Sequence, residues 1–205
     1  MNIYGIRRAM CLGAVALAAG SAQAITFFDV EYSVTPLTNE ANEVIIGNSI
    51  SFHTPFAVVG DSGTDGMREG EFDIRYKADA GVGISAIEMG ITLHEVILGT
   101  ESMIDFKEVV YELLPDDSLG DIVGSASETF FADFVGSWSQ MLVLTRAVQR
   151  VQVVKSFNMR APVTPDLDFT SLALVNQNLV VVPEPATMAA LGLGALALVR
   201  RRRKS

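Results

Sequence analysis

Polar and apolar residues alternate along much of the middle of this chain. Phe28, Val30, Tyr32 and Val34 alternate with Asp29, Glu31 and Ser33, and Phe72, Ile74, Tyr76 and Ala78 alternate with Glu71, Asp73, Arg75 and Lys77. A period of two places each apolar set on one face of an extended strand. Arg75 and Lys77 then project from the polar face, where they can pair with acids on a neighbouring strand. Ile91, Leu93 and the run Val96–Leu98 predict another strand, as do Val151, Val153, Phe157 and Met159.

Turn signals punctuate these runs at Gly47-Asn48, Gly60-Asp61-Ser62-Gly63, Gly81-Val82-Gly83, Pro115-Asp116-Asp117 and Pro162 to Pro165. Glycine supplies positive φ, and Asp or Asn closes turns with its own side chain. Short strands separated in this way predict an all-β fold, a single antiparallel β-sandwich or jelly-roll-like domain over residues 25–181. Ser125–Val135 offers a helical alternative, since Phe130, Phe131 and Phe134 can share one helical face. About 158 residues are enough for one domain burying roughly 68–70% of its unfolded-chain surface.

The two ends read differently from the middle. Residues 1–24 carry Arg7 and Arg8, an apolar run from Ala9 to Ala19, and a small-residue exit ending in Ala22-Gln23-Ala24. That order is a signal peptide, cut by signal peptidase between Ala24 and Ile25 with Ala22 and Ala24 as the small residues beside the bond. Cys11 sits near the start of the apolar run, so it is not a lipoprotein cysteine, and Arg7-Arg8 lacks the flanking residues of a twin-arginine signal.

At the other end Val182-Pro183-Glu184-Pro185 precedes an apolar run, Ala186–Val199, and then Arg200, Arg201, Arg202, Arg203 and Lys204. The prolines stop any preceding strand. The apolar run reads as a transmembrane helix of about 21 Å, short against a hydrocarbon core of roughly 30 Å, so snorkelling arginines or local thinning must help. The basic cluster holds the far side in the cytoplasm and leaves everything before the helix outside the inner membrane.

Without these ends the balance becomes strongly acidic. Residues 25–182 hold eight Lys/Arg against 23 Asp/Glu, a formal charge of −15 where the whole chain has −9. Such a surface disfavours nucleic acid and anionic membranes. Cys11 is the one cysteine and leaves with the leader, so the mature domain has no disulfide, thiol nucleophile or thiolate metal site.

Catalytic patterns are sparse. His94-Glu95 opens a zinc-protease pattern, but Leu98 stands where the second histidine belongs, and the other histidine, His53, is distant in sequence. Gly81-Val82-Gly83-Ile84-Ser85-Ala86 formally matches a dinucleotide fingerprint without its strand-loop-helix setting and reads as a turn. No Gly-x-Ser-x-Gly elbow is present. Paired-carboxylate chemistry has many acids to choose from, and Asp116-Asp117 after a proline reads as a solvated turn. Cofactors are expected to be none; the one weak calcium candidate is the loop carrying Asp61 and Asp65 with Glu69 and Glu71 behind it. Trp138, amid Phe134, Met141 and Val143, reads as core in preference to a sugar platform.

The Pro-Glu-Pro, helix and arginine-cluster order over residues 182–205 resembles the PEP-CTERM sorting signal of Gram-negative bacteria that make exopolysaccharide. The resemblance implies processing by an exosortase, whose cysteine nucleophile lies in the sortase, and transient anchoring in the inner membrane before release or transfer to the envelope, surface or extracellular matrix. On this reading the partners are signal peptidase, exosortase and exopolysaccharide. The middle is expected to be a noncatalytic structural or binding domain, with a carbohydrate-binding or carbohydrate-cleaving module as the alternative.

Overall fold

The structure, a computed structural model, describes residues 25–35, 42–60, 68–92, 101–131, 134, 136–162, 168–182 and 193. Among the described residues eight strands run antiparallel: β1 (Thr26–Thr35), β2 (Asn42–Ile46), β3 (Ser49–Gly60), β4 (Glu69–Thr92), β5 (Met103–Leu113), β6 (Leu119–Phe131), β7 (Ser137–Arg160) and β8 (Phe169–Val181). They form one sheet in the order β2-β3-β8-β4-β7-β5-β6, with β1 added on β4.

Two strands of 24 residues, β4 and β7, decide how that sheet folds. Their first and last halves lie in different layers. Glu69–Asp79 of β4 pairs with β1 and with Arg150–Arg160 of β7, which in turn pairs with β5. Beyond a register break between Asp79 and Ile84, β4 pairs with β8 and with the first half of β7. The sheet therefore turns a corner and packs on itself. Aromatic contacts between strands that share no ladder fill the space: Phe52 of β3 meets Tyr76 of β4 at 5.8 Å and Tyr32 of β1 at 5.9 Å. This is a β-sandwich, as the alternation predicts.

The corner falls at Gly81-Val82-Gly83, where the sequence predicts a turn. The segment stays in β4 as a bulge: Gly81 has a φ of 63°, its N–H donates to Asp79 Oδ1 at 2.9 Å, and a Cβ on Gly83 would lie 3.0 Å from that of Ala147. An extra residue in one strand bends it without ending it. The Ser125–Val135 helical alternative is overturned as well, because Ser125–Phe131 continues β6 against β5. Phe130 turns inward against Trp138, and Phe131 turns out.

Strand β1 carries a smaller correction. Alternation places Phe28 with Val30 and Tyr32, yet the bulge between Phe28 and Glu31, with Asp29 at φ 48°, changes the parity. Phe27 packs on the core with Val30 and Tyr32, while the Phe28 ring lies under Lys77 and Arg150 on the outer face. Asp29 accepts from Lys77 Nζ at 2.8 Å, and Arg75 lies 3.6 Å from Glu31, so both cross-strand pairs form.

Other expected features fall into place. Gly47-Asn48 makes the β2–β3 turn, and Pro115-Asp116-Asp117 the β5–β6 turn. Arg150 clamps the second of these to β7, donating to Leu114 O at 2.8 Å and to Asp117 at 2.5 Å, with Asp79 at 3.3 Å. Arg150→Ala is expected to cost about 1 kcal/mol, the scale of exposed ion pairs. A melting-temperature loss that shrinks at high salt would show it; a salt-independent loss would assign the effect to packing on Phe28.

A charged pair is buried where the two layers meet. Lys155 of β7 and Glu108 of β5 are both 0% exposed and face each other in register as an ion pair. Gln177, from β8 in the opposite layer, donates its Nε2 to Glu108 Oε1 at 2.8 Å and Oε2 at 2.9 Å. Burial lowers the Lys155 pKa, and burial followed by the charge of Glu108 holds Tyr76 well above the usual phenol value.

The signal peptide over 1–24, the tail beyond Val182 apart from Leu193, and Asp61, Asp65, His94, Leu93 and Val96–Leu98 lie outside the described residues. Among those described, no helix is long and apolar enough to cross a membrane.

Candidate functional site

Because inward side chains of β4, β5 and β7 are apolar apart from the core cluster, every second residue faces out, and the register lines these residues up across strands. One row reads Glu69, Arg160, Met103, Phe131; the next Glu71, Asn158, Asp105, Thr129; the third Asp73, Ser156, Lys107, Ser127. Carboxylates, amide, hydroxyls and amine alternate over four adjacent strands.

Two shallow depressions share Phe131 as a wall. One, of about 500 Å³, is lined by Arg68, Glu69, Glu101, Met103, Arg160 and Pro162; the other, of about 560 Å³, by Asp105, Lys107, Ser127, Thr129 and Asn158 among others. Phe131 is 54% exposed, whereas Phe52, Phe72, Phe106, Phe130 and Phe157 are buried in the core. Thr129 Oγ1 donates to Asp105 Oδ1 at 2.7 Å, and Ser156 Oγ reaches Glu71 Oε1 at 3.4 Å. An aromatic ring with flanking donors and acceptors is how a protein grips a ligand that has one apolar face and many hydroxyls.

The residues singled out in the sequence are scattered. Glu69 and Glu71 lie on this face, and among the described residues no group of three His, Cys, Asp or Glu is placed to hold a metal. His53 is exposed on β3, in the opposite layer. Asp116 accepts from the Ser118 hydroxyl at 2.6 Å and from its N–H, which lowers its pKa, and Asp117 is engaged by Arg150. A general acid needs the opposite shift. Trp138 meets Phe106 and Phe130 edge-on at 5.8 and 5.7 Å, so it is core. Phe131 escaped the sequence reading because its outward direction depends on β6 being a strand.

The tail begins at the last strand without a spacer. Val182 N–H donates to Gly83 O at 2.7 Å, beside the sheet corner, and Pro183 follows.

Residues 181–204 match the PEP-CTERM protein-sorting motif. No curated protein matches the chain. Among solved structures, TmCBM61 in complex with β-1,4-galactotriose is similar at 9% identity and a TM-score of 0.41, over 75% of this chain and 89% of that one. The xylan-binding module CBM15 aligns at 13% identity and 0.33, over 78% and 99%. TmCBM27, a carbohydrate-binding module whose mannan recognition has been dissected, aligns at 9% and 0.33, over 78% and 99%. Likenesses this distant fix neither ligand nor site.

Proposed function

We propose that this chain, which carries a protein-sorting motif indicating export and sorting to the cell envelope or surface, delivers a noncatalytic domain that binds extracellular polysaccharide on the outer face of β4, β7, β5 and β6. The observation that carries the reading is the exposed Phe131 ring set between two polar depressions. The formal −15 of residues 25–182 favours a neutral glycan over an anionic one.

Retardation of the purified protein in gels containing the host's exopolysaccharide tests this. Phe131→Ala is expected to weaken binding about tenfold, equivalent to about 1.4 kcal/mol, while Asn178→Ala in the opposite layer leaves it unchanged. Equal mobility of wild type and Phe131→Ala across the polysaccharide series would refute the site.

The proposal extends to processing: signal peptidase cuts after Ala24, Ala186–Val199 rests in the inner membrane, and exosortase acts near Pro183–Pro185. Replacing Arg200–Arg203 with neutral residues is expected to weaken retention and sorting. Unchanged release of the mature form from that variant, followed by intact mass in envelope and medium, would sink the tail's role.

A further inference from the structure

Three polar side chains from three strands meet in the core. Lys155 Nζ and Gln177 Nε2 both donate to the same oxygen, Glu108 Oε2, and the Lys155 amine lies 5.1 Å from the centre of the Phe106 ring. Lys155 and Glu108 are 0% exposed and Gln177 is 1% exposed. Gln177 Oε1 and the Tyr76 hydroxyl are buried without a hydrogen-bond partner among the described residues. An amine, a carboxamide and a bridging carboxylate, sealed from water, are the parts of an acyl-transfer site.

We propose that this cluster forms an intramolecular isopeptide bond between Lys155 and Gln177, with Glu108 as the proton-transferring residue. In a water-excluded site burial penalises the ammonium form of Lys155 and favours its free amine. Lys155 passes one proton to Glu108, and the free amine attacks Cδ of Gln177. Glu108 then relays a second proton from Nζ to Nε2, the Cδ–Nε2 bond breaks and ammonia leaves. The products are the Nζ–Cδ amide, free ammonia and a neutral Glu108, so atoms and charge balance with no outside reagent.

The bond would join β7 in one layer to β8 in the other, a staple across the sandwich. The chain's one cysteine, Cys11, precedes the described domain, so no disulfide can do this within it.

The full chain, purified from cells that process it, is denatured and weighed, then digested and sequenced by tandem mass spectrometry. The expected result is a mass lower than that of the same termini by one ammonia, with a branched peptide joining Lys155 to Gln177 and no tryptic cut at Lys155. Lys155→Met and Glu108→Gln are both expected to restore the full mass; the second keeps both linked residues and so isolates the role of Glu108. An unlinked wild type at full mass would overturn the proposal even if neither variant folds. Loss of one water, with Lys155 joined to Glu108, would overturn Gln177 as the acyl donor.

Discussion

Gly60→Ala is expected to unfold a large fraction of the domain at ordinary temperature. Gly60 ends β3 opposite Phe169 with a φ of 113°, a region that side-chain-bearing residues rarely occupy. Conformation alone costs about 1–3 kcal/mol. The larger cost is steric: an added Cβ would stand 2.1 Å from the Asp168 carbonyl oxygen and 2.8 Å from the Phe169 Cα, both backbone atoms with no rotamer to change. The sum is expected to exceed about 4 kcal/mol, in the range that marks a specific structural failure. Gly47→Ala separates the two contributions, since Gly47 has a φ of 59° with nothing within 4 Å of the added carbon. Its loss should stay near 1 kcal/mol. Urea titrations of both variants decide; similar midpoints would mean that β3 shifts to accommodate the methyl group.

Phe157→Ala is expected to be nearly as damaging. Phe157 is fully buried, stacked on Phe106 at 5.0 Å and on Phe72 at 6.1 Å, so it joins β4, β7 and β5 within one layer of the core. Truncating such a ring costs about 3–5 kcal/mol, lost transfer energy plus the cavity left behind. At about 2–4 °C per kcal/mol for a domain of this size, the melting temperature should fall by about 6–20 °C. Phe131→Ala provides the contrast, with a stability change within about 0.5 kcal/mol because its ring faces solvent. That variant is expected to bind polysaccharide about tenfold more weakly and keep its melting point. Equal destabilisation by the two would place Phe131 in the core and remove it from the binding face.

Alternation made β1, the start of β4 and the end of β7 legible, because a half-buried strand writes its two faces directly into its sequence at period two. Fine parity was less accessible. The Asp29 bulge exchanges Phe27 for Phe28 on the core face, and one inserted residue reverses every later side chain. Gly81-Val82-Gly83 carries the same local signal whether a strand ends or bends. Only the pairing of β4 with β7 on both sides of it decides for the bend.

The candidate face and the core cluster were invisible for a related reason. Glu71, Asp105, Thr129 and Asn158 come from four strands, and Glu108, Lys155 and Gln177 from three. Buried Lys and Glu read along the chain as ordinary solvated charges, since burial is a property of the partners across the sheet.

The sequence by itself determined the sorting tail, whose order of prolines, apolar run and arginines acts locally, and the strand-rich, acidic character of the domain. The tertiary structure alone decided which residues share a surface and which charges are withdrawn from water. Register and sheet folding join positions far apart in the chain, and no local pattern encodes that distance.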